Sequence, residues 1–273
     1  MIRRHLSLRK HARLYLNMVS ASIRTQLQYR YAFVMNILGW MMSYAGTAVT
    51  MWVMLYRFKA LDGWNFWELI FLFALAVLSW SISILFFFHF RTLDVYIVNG
   101  TFDRFLVRPI HPFFHFMTLK FDVGAFGQLL FSIIAVALAV TRLHLHWQIL
   151  SWLTFIGALL GGALIQGGII ILISAMAFWT TRSERFYWTV MFPAKNLINY
   201  PLAIYPRMVQ WILVFVVPFA FVNYLPACVL LNKADPVYPR FLGLLSPVVG
   251  MVFFWFCYRV WMFGIDHYKS AGS

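Results

Sequence analysis

Residues 67–89 read WELIFLFALAVLSWSISILFFFH. Past Glu68 the run holds no acid, lysine or arginine, and Ser79, Ser81 and Ser83 are its only hydroxyl side chains. An α-helix rises 1.5 Å per residue, so about 20 residues cross the roughly 30 Å of hydrocarbon in a bilayer. This stretch is long enough to do so. Outward from it, residues 32–56, 121–141, 150–179, 208–231 and 241–263 have the same character. The predicted fold is an all-α integral membrane domain over 32–263 with six transmembrane helices. The fourth stretch exceeds the needed length and is expected to tilt or project from the bilayer. Pro218 and Pro226 predict a kinked or split fifth span.

Composition agrees. Of 273 residues, 63% are hydrophobic and 11% are charged, against about 45–50% and about 25% in soluble domains. So few charges cannot cover a water-soluble surface. The net charge of +14 is the kind of excess that orients membrane spans. Nucleic acid is not expected as a partner, because no stacking module accompanies the basic residues. Cys228 and Cys257 sit in apolar surroundings and read as packing residues. The first apolar stretch is too long for a signal-peptide core.

Residues 1–31 carry Arg3, Arg4, Arg9, Lys10, Arg13, Arg24 and Arg30 without an acid. Leu14, Leu16, Met18, Val19, Ile23 and Leu27 recur between them. The pattern predicts an amphipathic helix lying on the membrane surface, its cations toward lipid phosphates. A plain basic tail is the alternative. With this end inside, only Arg57, Lys59, Arg142, Lys233 and Arg240 of the 22 basic residues fall on outer segments. That bias places both termini in the cytosol, including the tail 264–273. The inner loops are then 90–120 and 180–207. No segment suffices for a separate soluble domain.

The chain lacks any Gly-Lys dipeptide, so it has no GxxxxGK[ST] phosphate loop. Every acid falls in a loop or at a span end. A carrier driven by protons or ions needs an ionisable relay near mid-membrane, and the sequence offers none there. Energy for uphill transport is expected from another polypeptide.

A handle for such a partner stands in loop 90–120. Residues 96–114 read YIVNGTFDRFLVRPIHPFF. Gly100 punctuates the chain, Thr101 or Asp103 is expected to cap a short helix, and Pro109 and Pro112 to end it. An interfacial loop whose arginines bind lipid phosphates is the alternative. The segment NGTFDRFLVRPIHPFF resembles a pattern, G-x-h-D-x-h-L-h-R-P-h-x-P, of a bacterial permease family in the type-2 ABC exporter superfamily. Residues 200–227, YPLAIYPRMVQWILVFVVPFAFVNYLPA, resemble the same family's Tyr-Pro…Tyr-Pro element and its following hhPhAFhxxhPA.

The resemblance implies a permease subunit of an ATP-driven exporter in a bacterial cytoplasmic (inner) membrane. Two such chains, identical or paralogous, would pair with two separate ABC ATPase subunits. ATP and Mg would be bound by those partners, and no cofactor or metal by this chain. It also implies that Asp103, Arg104, Arg108, Pro109 and Pro112 form the coupling loop. Pro218, Asn223 and Pro226 would fall in a re-entrant region over 216–232.

Arg182, Glu184 and Arg185 are either a solvated turn or a second ATPase contact. Asn36, Ser43, Thr47 and Thr50 share one helical face. They line a translocation path, form the seam between two permease chains, or simply pack a helix. Gly157 and Gly161 make a GxxxG pattern expected to pack closely, and Gln166 beside it needs a partner. His111 and His115, and His144 and His146, lack a third ligand for a metal site. Trp64, Trp67, Trp147, Trp152, Trp179 and Trp188 read as interfacial anchors. The mostly apolar spans suit an amphipathic or hydrophobic cargo, since charged cargo needs buried counter-charges. The other function classes are an integral-membrane lipid-modifying enzyme and a carrier independent of ATP. The enzyme would have to draw on Asp94, Asp103, His111 and His115.

Overall fold

The computed structural model describes residues 30–58, 63–108, 111–119, 122, 124–180 and 183–268, and among them all regular structure is helical. The N-terminal amphipathic helix expected over 1–31 lies outside the described residues, except where Arg30 opens the first long helix.

In chain order the helices are α1 (Arg30–Phe58), α2 (Phe66–Phe87), a 3-10 turn (Phe88–Thr92), α3 (Leu93–Val98), α4 (Asp103–Val107) and α5 (Pro112–Met117). Then come α6 (Ala125–Arg142), α7 (Ile149–Ala175), α8 (Ala177–Thr180), α9 (Ser183–Phe186), a π-helical turn (Tyr187–Met191) and α10 (Phe192–Leu197). After the 3-10 turn Leu202–Ile204 follow α11 (Arg207–Trp211), the π turn Ile212–Val216, the 3-10 turn Phe219–Phe221 and α12 (Tyr224–Leu230). The 3-10 turn Arg240–Leu245 leads into α13 (Ser246–Asp266).

Among the described residues, five helical stretches are long and apolar enough to cross a membrane: Phe33–Arg57, Phe66–Val98, Ala125–Arg142, Ile149–Thr180 and Arg240–Asp266. The protein is an all-α integral membrane protein. The expected fifth span, 208–231, is instead two short pieces, Arg207–Val216 and Phe219–Leu230, bent by 76°. Pro218 sits in the break, where it has no N–H to carry the helix through. Pro226 falls in the first turn of α12, where a missing donor costs nothing.

The middle of the bundle is α2. A capping box starts it: Glu68 N–H donates to Asn65 Oδ1 (3.0 Å) and Asn65 N–H to Glu68 Oε2 (2.8 Å). Phe71, Leu72, Phe73, Ala74 and Leu75 are then buried in succession, so every face of the helix meets protein. That is how a helix apolar all round is satisfied at the centre of a bundle. Gln166 on α7 finds its partner here, donating to Ser79 Oγ at 2.8 Å. The Gly157–Gly161 pattern packs α7 against the start of α13. A Cβ on Gly161 would lie 2.3 Å from the Ser246 carbonyl oxygen, and one on Gly250 2.5 Å from that of Gly161. Two backbones approach this closely only where side chains are absent.

By contrast, α1 stands at the edge, with Asn36, Ser43 and Thr50 exposed and Thr47 half-buried. The hydroxyls of Thr47 and Thr50 fall back on the carbonyls of Ser43 and Gly46.

The segment 180–207, expected as a loop, is helical from Ser183 to Leu197. Its contacts run back along α3 and then α2 in reverse order. Glu184 meets Asp94, Lys195 lies over Trp80, and Asn223 joins the Ile198 and Leu72 carbonyls. Along α1 they run forward, with Lys195 at Tyr44 and Tyr200 at Met54. Arg185 and Lys195 break the apolar run, which is why hydropathy alone reads this stretch as a loop.

Candidate functional site

The segment 96–114 is a folded arm. After α3 the chain reverses at Gly100, whose φ of +64° suits glycine. The expected side-chain cap is absent. Thr101 Oγ1 donates to the Tyr96 carbonyl (3.2 Å), and Asp103 is the first residue of α4, where its charge favours the helix N-terminus. Pro112 also differs from expectation: it begins α5, because the first helical turn needs no proline N–H. Pro109 lies outside the described residues.

Aromatic rings clamp this arm to the bundle. Phe102 is fully buried, 5.5 Å from the Phe178 ring and 5.2 Å from Tyr268. Phe105 packs on His115 (4.8 Å), and Phe113 on Trp261 (5.2 Å) and Tyr258 (5.0 Å). Arg108 Nη1 donates to His115 Nε2 at 3.0 Å, tying α4 to α5. Burial, and then the Arg108 charge, lower the His115 pKa, so the ring is held neutral as an acceptor. The opposite surface is open. Arg104 and Arg108 are exposed, and between them Val107 is 83% exposed.

The second cluster comes next to this arm. Arg182 lies outside the described residues, but Glu184 Oε1 pairs with Arg91 Nη1 (3.5 Å), whose guanidinium also lies over the Phe88 and Trp188 rings. Buried Asp94 accepts from the backbone N–H of Val95 and of Glu184, both at 2.9 Å. Arg185 is exposed and makes no ion pair among the described residues. Sequence reading set Asp94 aside as an enzyme candidate and missed its role as the joint between 90–98 and 183–186. No local signal marks it.

Nor did the sequence place an ionisable group inside the bundle. Lys195 is there, with Nζ 2.9 Å from Tyr44 Oη and 4.6 Å from the Trp80 ring centroid. Tyr44 in turn donates to Gln128 Oε1 at 3.0 Å.

Buried Asn223 braces the bent pair by donating to two carbonyls, while Pro218 and Pro226 shape its turn. Its far end is pinned by Lys233, which pairs with Glu68 (2.7 Å) and donates to the Gly63 carbonyl (2.6 Å). Among the described residues no three His, Cys, Asp or Glu gather into a metal site. His111 instead meets the Tyr258 hydroxyl at 3.3 Å.

The sequence profile of the ABC-2 family transporter proteins matches residues 41–272. The chain belongs to this family. It is therefore a multi-pass membrane transport permease rather than an enzyme, and the arm, the Asp94 joint and the bent pair are parts of an ABC-2 permease. No curated protein and no solved structure matches the chain.

Proposed function

We propose that this ABC-2 permease is the membrane-spanning subunit of an ATP-driven exporter in a bacterial cytoplasmic membrane. Two ABC ATPase subunits, holding ATP and Mg, work a pair of permease chains that are identical or paralogous. The observation that carries this reading is the 96–114 arm. One side is locked into the bundle by Phe102, Phe105 and Phe113, while the other offers Arg104, Val107 and Arg108. A body pushing that exposed side moves the ends of α7, α8 and α13 with it, because rings packed this tightly transmit displacement. Asp103 and the prolines at 109 and 112 belong to the same handle. Glu184 passes motion to α9 through Asp94 and Arg91.

In this reading the fifth crossing runs over 183–206, its helical part Ser183–Leu197 completed by the stretch that includes the 3-10 turn Leu202–Ile204, and Arg207–Leu230 re-enters from the outside. Support comes from its C-terminal end. At the end nearest α13, Lys233 pairs with Glu68 at the start of α2, which ties that end to the segment joining α1 and α2. Arg207 then lies outside, and the excess of cations still favours cytosolic termini. The exposed polar face of α1, with Asn36, Ser43, Thr47 and Thr50, is left for the cargo path or the second permease chain. The cargo is an amphipathic molecule moved outward.

The test is purification of the tagged chain from native membranes. An ABC ATPase should travel with it, and Asp103→Ala with Arg104→Ala should weaken that association or uncouple hydrolysis from transport. Full assembly and transport in this double variant would remove the arm from the mechanism. The enzyme alternative gains no support, since Asp94 and His115 are engaged in holding the arm together.

A further inference from the structure

Although α2 is apolar and buried on every side, it keeps three hydroxyls in five residues: Ser79, Ser81 and Ser83, all fully buried. Two have local acceptors. Ser79 Oγ donates to the Ala76 carbonyl at 3.0 Å, and Ser81 Oγ to that of Val77 at 2.7 Å. Ser79 Oγ also accepts Gln166 Nε2 of α7 at 2.8 Å, which ties the two helices together. Among the described residues, neither Gln166 Oε1 nor Ser83 Oγ meets a hydrogen-bond partner, and both side chains are fully buried. Unpaired polar groups in so apolar an interior cost free energy. These two are complementary, one an amide acceptor and the other a hydroxyl donor.

The packing of α7 on α2 gives their levels. A Cβ on Gly162 would lie 3.0 Å from Ser79 Cβ, and one on Gly167 2.3 Å from the Phe87 ring. The helices therefore run parallel. Ser83, four residues from both Ser79 and Phe87, faces α7 between those glycines. Gln166 is one turn beyond Gly162, at the level of Ser83. Its side chain leans back toward the start of α7, as helical side chains do, and so reaches Ser79. The face of α7 repeats at the same spacing. Ala158 precedes Gly162 by four residues and Ala163 precedes Gly167 by four, and both alanines are buried. An advance of α7 by one turn, about 5.4 Å, toward the end of α2 would set Ala158 at Ser79, Gly162 at Ser83 and Ala163 at Phe87. Only small residues enter the contact, and the Phe87 ring has one methyl to turn from. Gln166 would then stand to Ser83 as it now stands to Ser79. The start of α13 would travel along, because Gly161 and Gly250 hold its backbone against that of α7.

We propose that Gln166 is a two-position catch, holding α7 to Ser79 in the present arrangement and to Ser83 after α7 and α13 have advanced one turn along α2. Packed interfaces move by such discrete steps rather than by continuous deformation. The catch deepens the exporter reading and rests on it only for the driving force. The arm would deliver that force through Phe178 of α8 and Trp261 of α13, on which Phe102 and Phe113 pack.

A double-mutant cycle on the full chain in nanodiscs tests the catch. Ser79→Ala should lower the melting temperature. Ser83→Ala alone should not, because it removes an unpaired hydroxyl. In the Ser79→Ala chain Gln166 falls back on Ser83, so adding Ser83→Ala should lower the melting temperature further. With Gln166→Leu in the background this second loss should vanish. If Ser83→Ala is as silent beside Ser79→Ala as it is alone, the proposal is overturned. Register is read separately by disulfide formation in a chain carrying Phe87→Cys and Ala163→Cys, with Cys228→Ala and Cys257→Ala. Positions 87 and 163 face each other only after the step. Ser79→Ala should speed cross-linking at least threefold and Ser83→Ala slow it at least threefold, while Ser83→Thr keeps the hydroxyl and the parent rate. Rates unmoved by either serine would also overturn the proposal. In the assembly drawn from native membranes, ATP with vanadate should speed the same cross-link. Serine coupling without a response to nucleotide keeps the catch and removes the ATPase as its drive. A response to nucleotide without serine coupling keeps the exporter and removes the catch.

Discussion

The Asp94 carboxylate accepts the Glu184 backbone N–H at 2.9 Å, although 90 residues of sequence separate the two. Asp94 belongs to the helix that leads into the 96–114 arm, and Glu184 to the start of the segment that carries Lys195. The bond joins the helix that leads into the arm to the start of the Ser183–Leu197 segment. Arg91 and Glu184 repeat the link through their side chains.

Asp94→Ala should therefore lower stability by about 1–3 kcal/mol, the usual cost of leaving a buried donor unpaired. It should also lower transport more than ATP hydrolysis in the reconstituted complex. Asp94→Asn keeps one oxygen acceptor and should fall between the variant and the parent. Parallel measurement of melting temperature, hydrolysis and transport checks this; loss of hydrolysis and transport in equal proportion would contradict it.

The two sides of the arm should respond to substitution in opposite ways. Phe102→Ala empties a fully buried site and should cost about 3–5 kcal/mol. Arg104→Ala, on the exposed side, should change stability by less than about 0.5 kcal/mol and still reduce ATPase binding. Thermal melts together with a pull-down separate the two effects.

Acid should loosen the arm. The His115 pKa is lowered below its ordinary 6.5, by burial first and by Arg108 second. The neutral ring is the folded form, so the unfolded chain takes up its proton first as pH falls. The stability His115 contributes is complete above about pH 6.5 and is lost as pH drops through the lower folded value. His115→Gln keeps an acceptor and does not titrate, so its melting temperature should fall less between about pH 7 and about pH 5 than that of the parent. Identical pH profiles would remove His115 as the cause.

Gly161→Ala should destabilise the bundle by more than an ordinary helix substitution. The new Cβ would lie 2.3 Å from the Ser246 carbonyl oxygen and 2.9 Å from the Pro247 nitrogen, both backbone atoms. Relief requires α7 and α13 to separate. A cost of about 1–3 kcal/mol is expected for such overpacking, read as a lower melting temperature in detergent.

The topology has its own test. A cysteine at position 207 should react with an impermeant reagent added outside, and one at position 104 only with reagent added inside. Labelling of position 207 from the cytosol would return Arg207–Leu230 to a single broken crossing and 180–207 to an inner loop.

Stretches such as 67–89 and 150–179 were legible because length and apolarity suffice: a backbone in hydrocarbon has little choice but helix. The Gly157–Gly161 contact was legible for a related reason, since small residues at that spacing leave room for only one kind of neighbour. Detail within the arm was less so. Thr101 or Asp103 is expected to cap a helix and Pro109 with Pro112 to end it, but Thr101 turns back to Tyr96, Asp103 is the first helical residue and Pro112 starts α5. Local propensity offers several sites for a cap or a stop, and the buried rings of Phe102, Phe105 and Phe113 choose among them.

Residue order alone settles that this chain lives in a membrane as a helical bundle, because burial of apolar surface and of backbone polar groups depends on local composition. It does not settle what the charged residues within the bundle are for. Lys195 looks like a loop cation until Tyr44, 151 residues away in the chain, is found beside it. Asp94 looks like a stray acid until Glu184 arrives. Polar groups in an apolar medium are defined by their partners, and those partners are assembled only when distant helices pack.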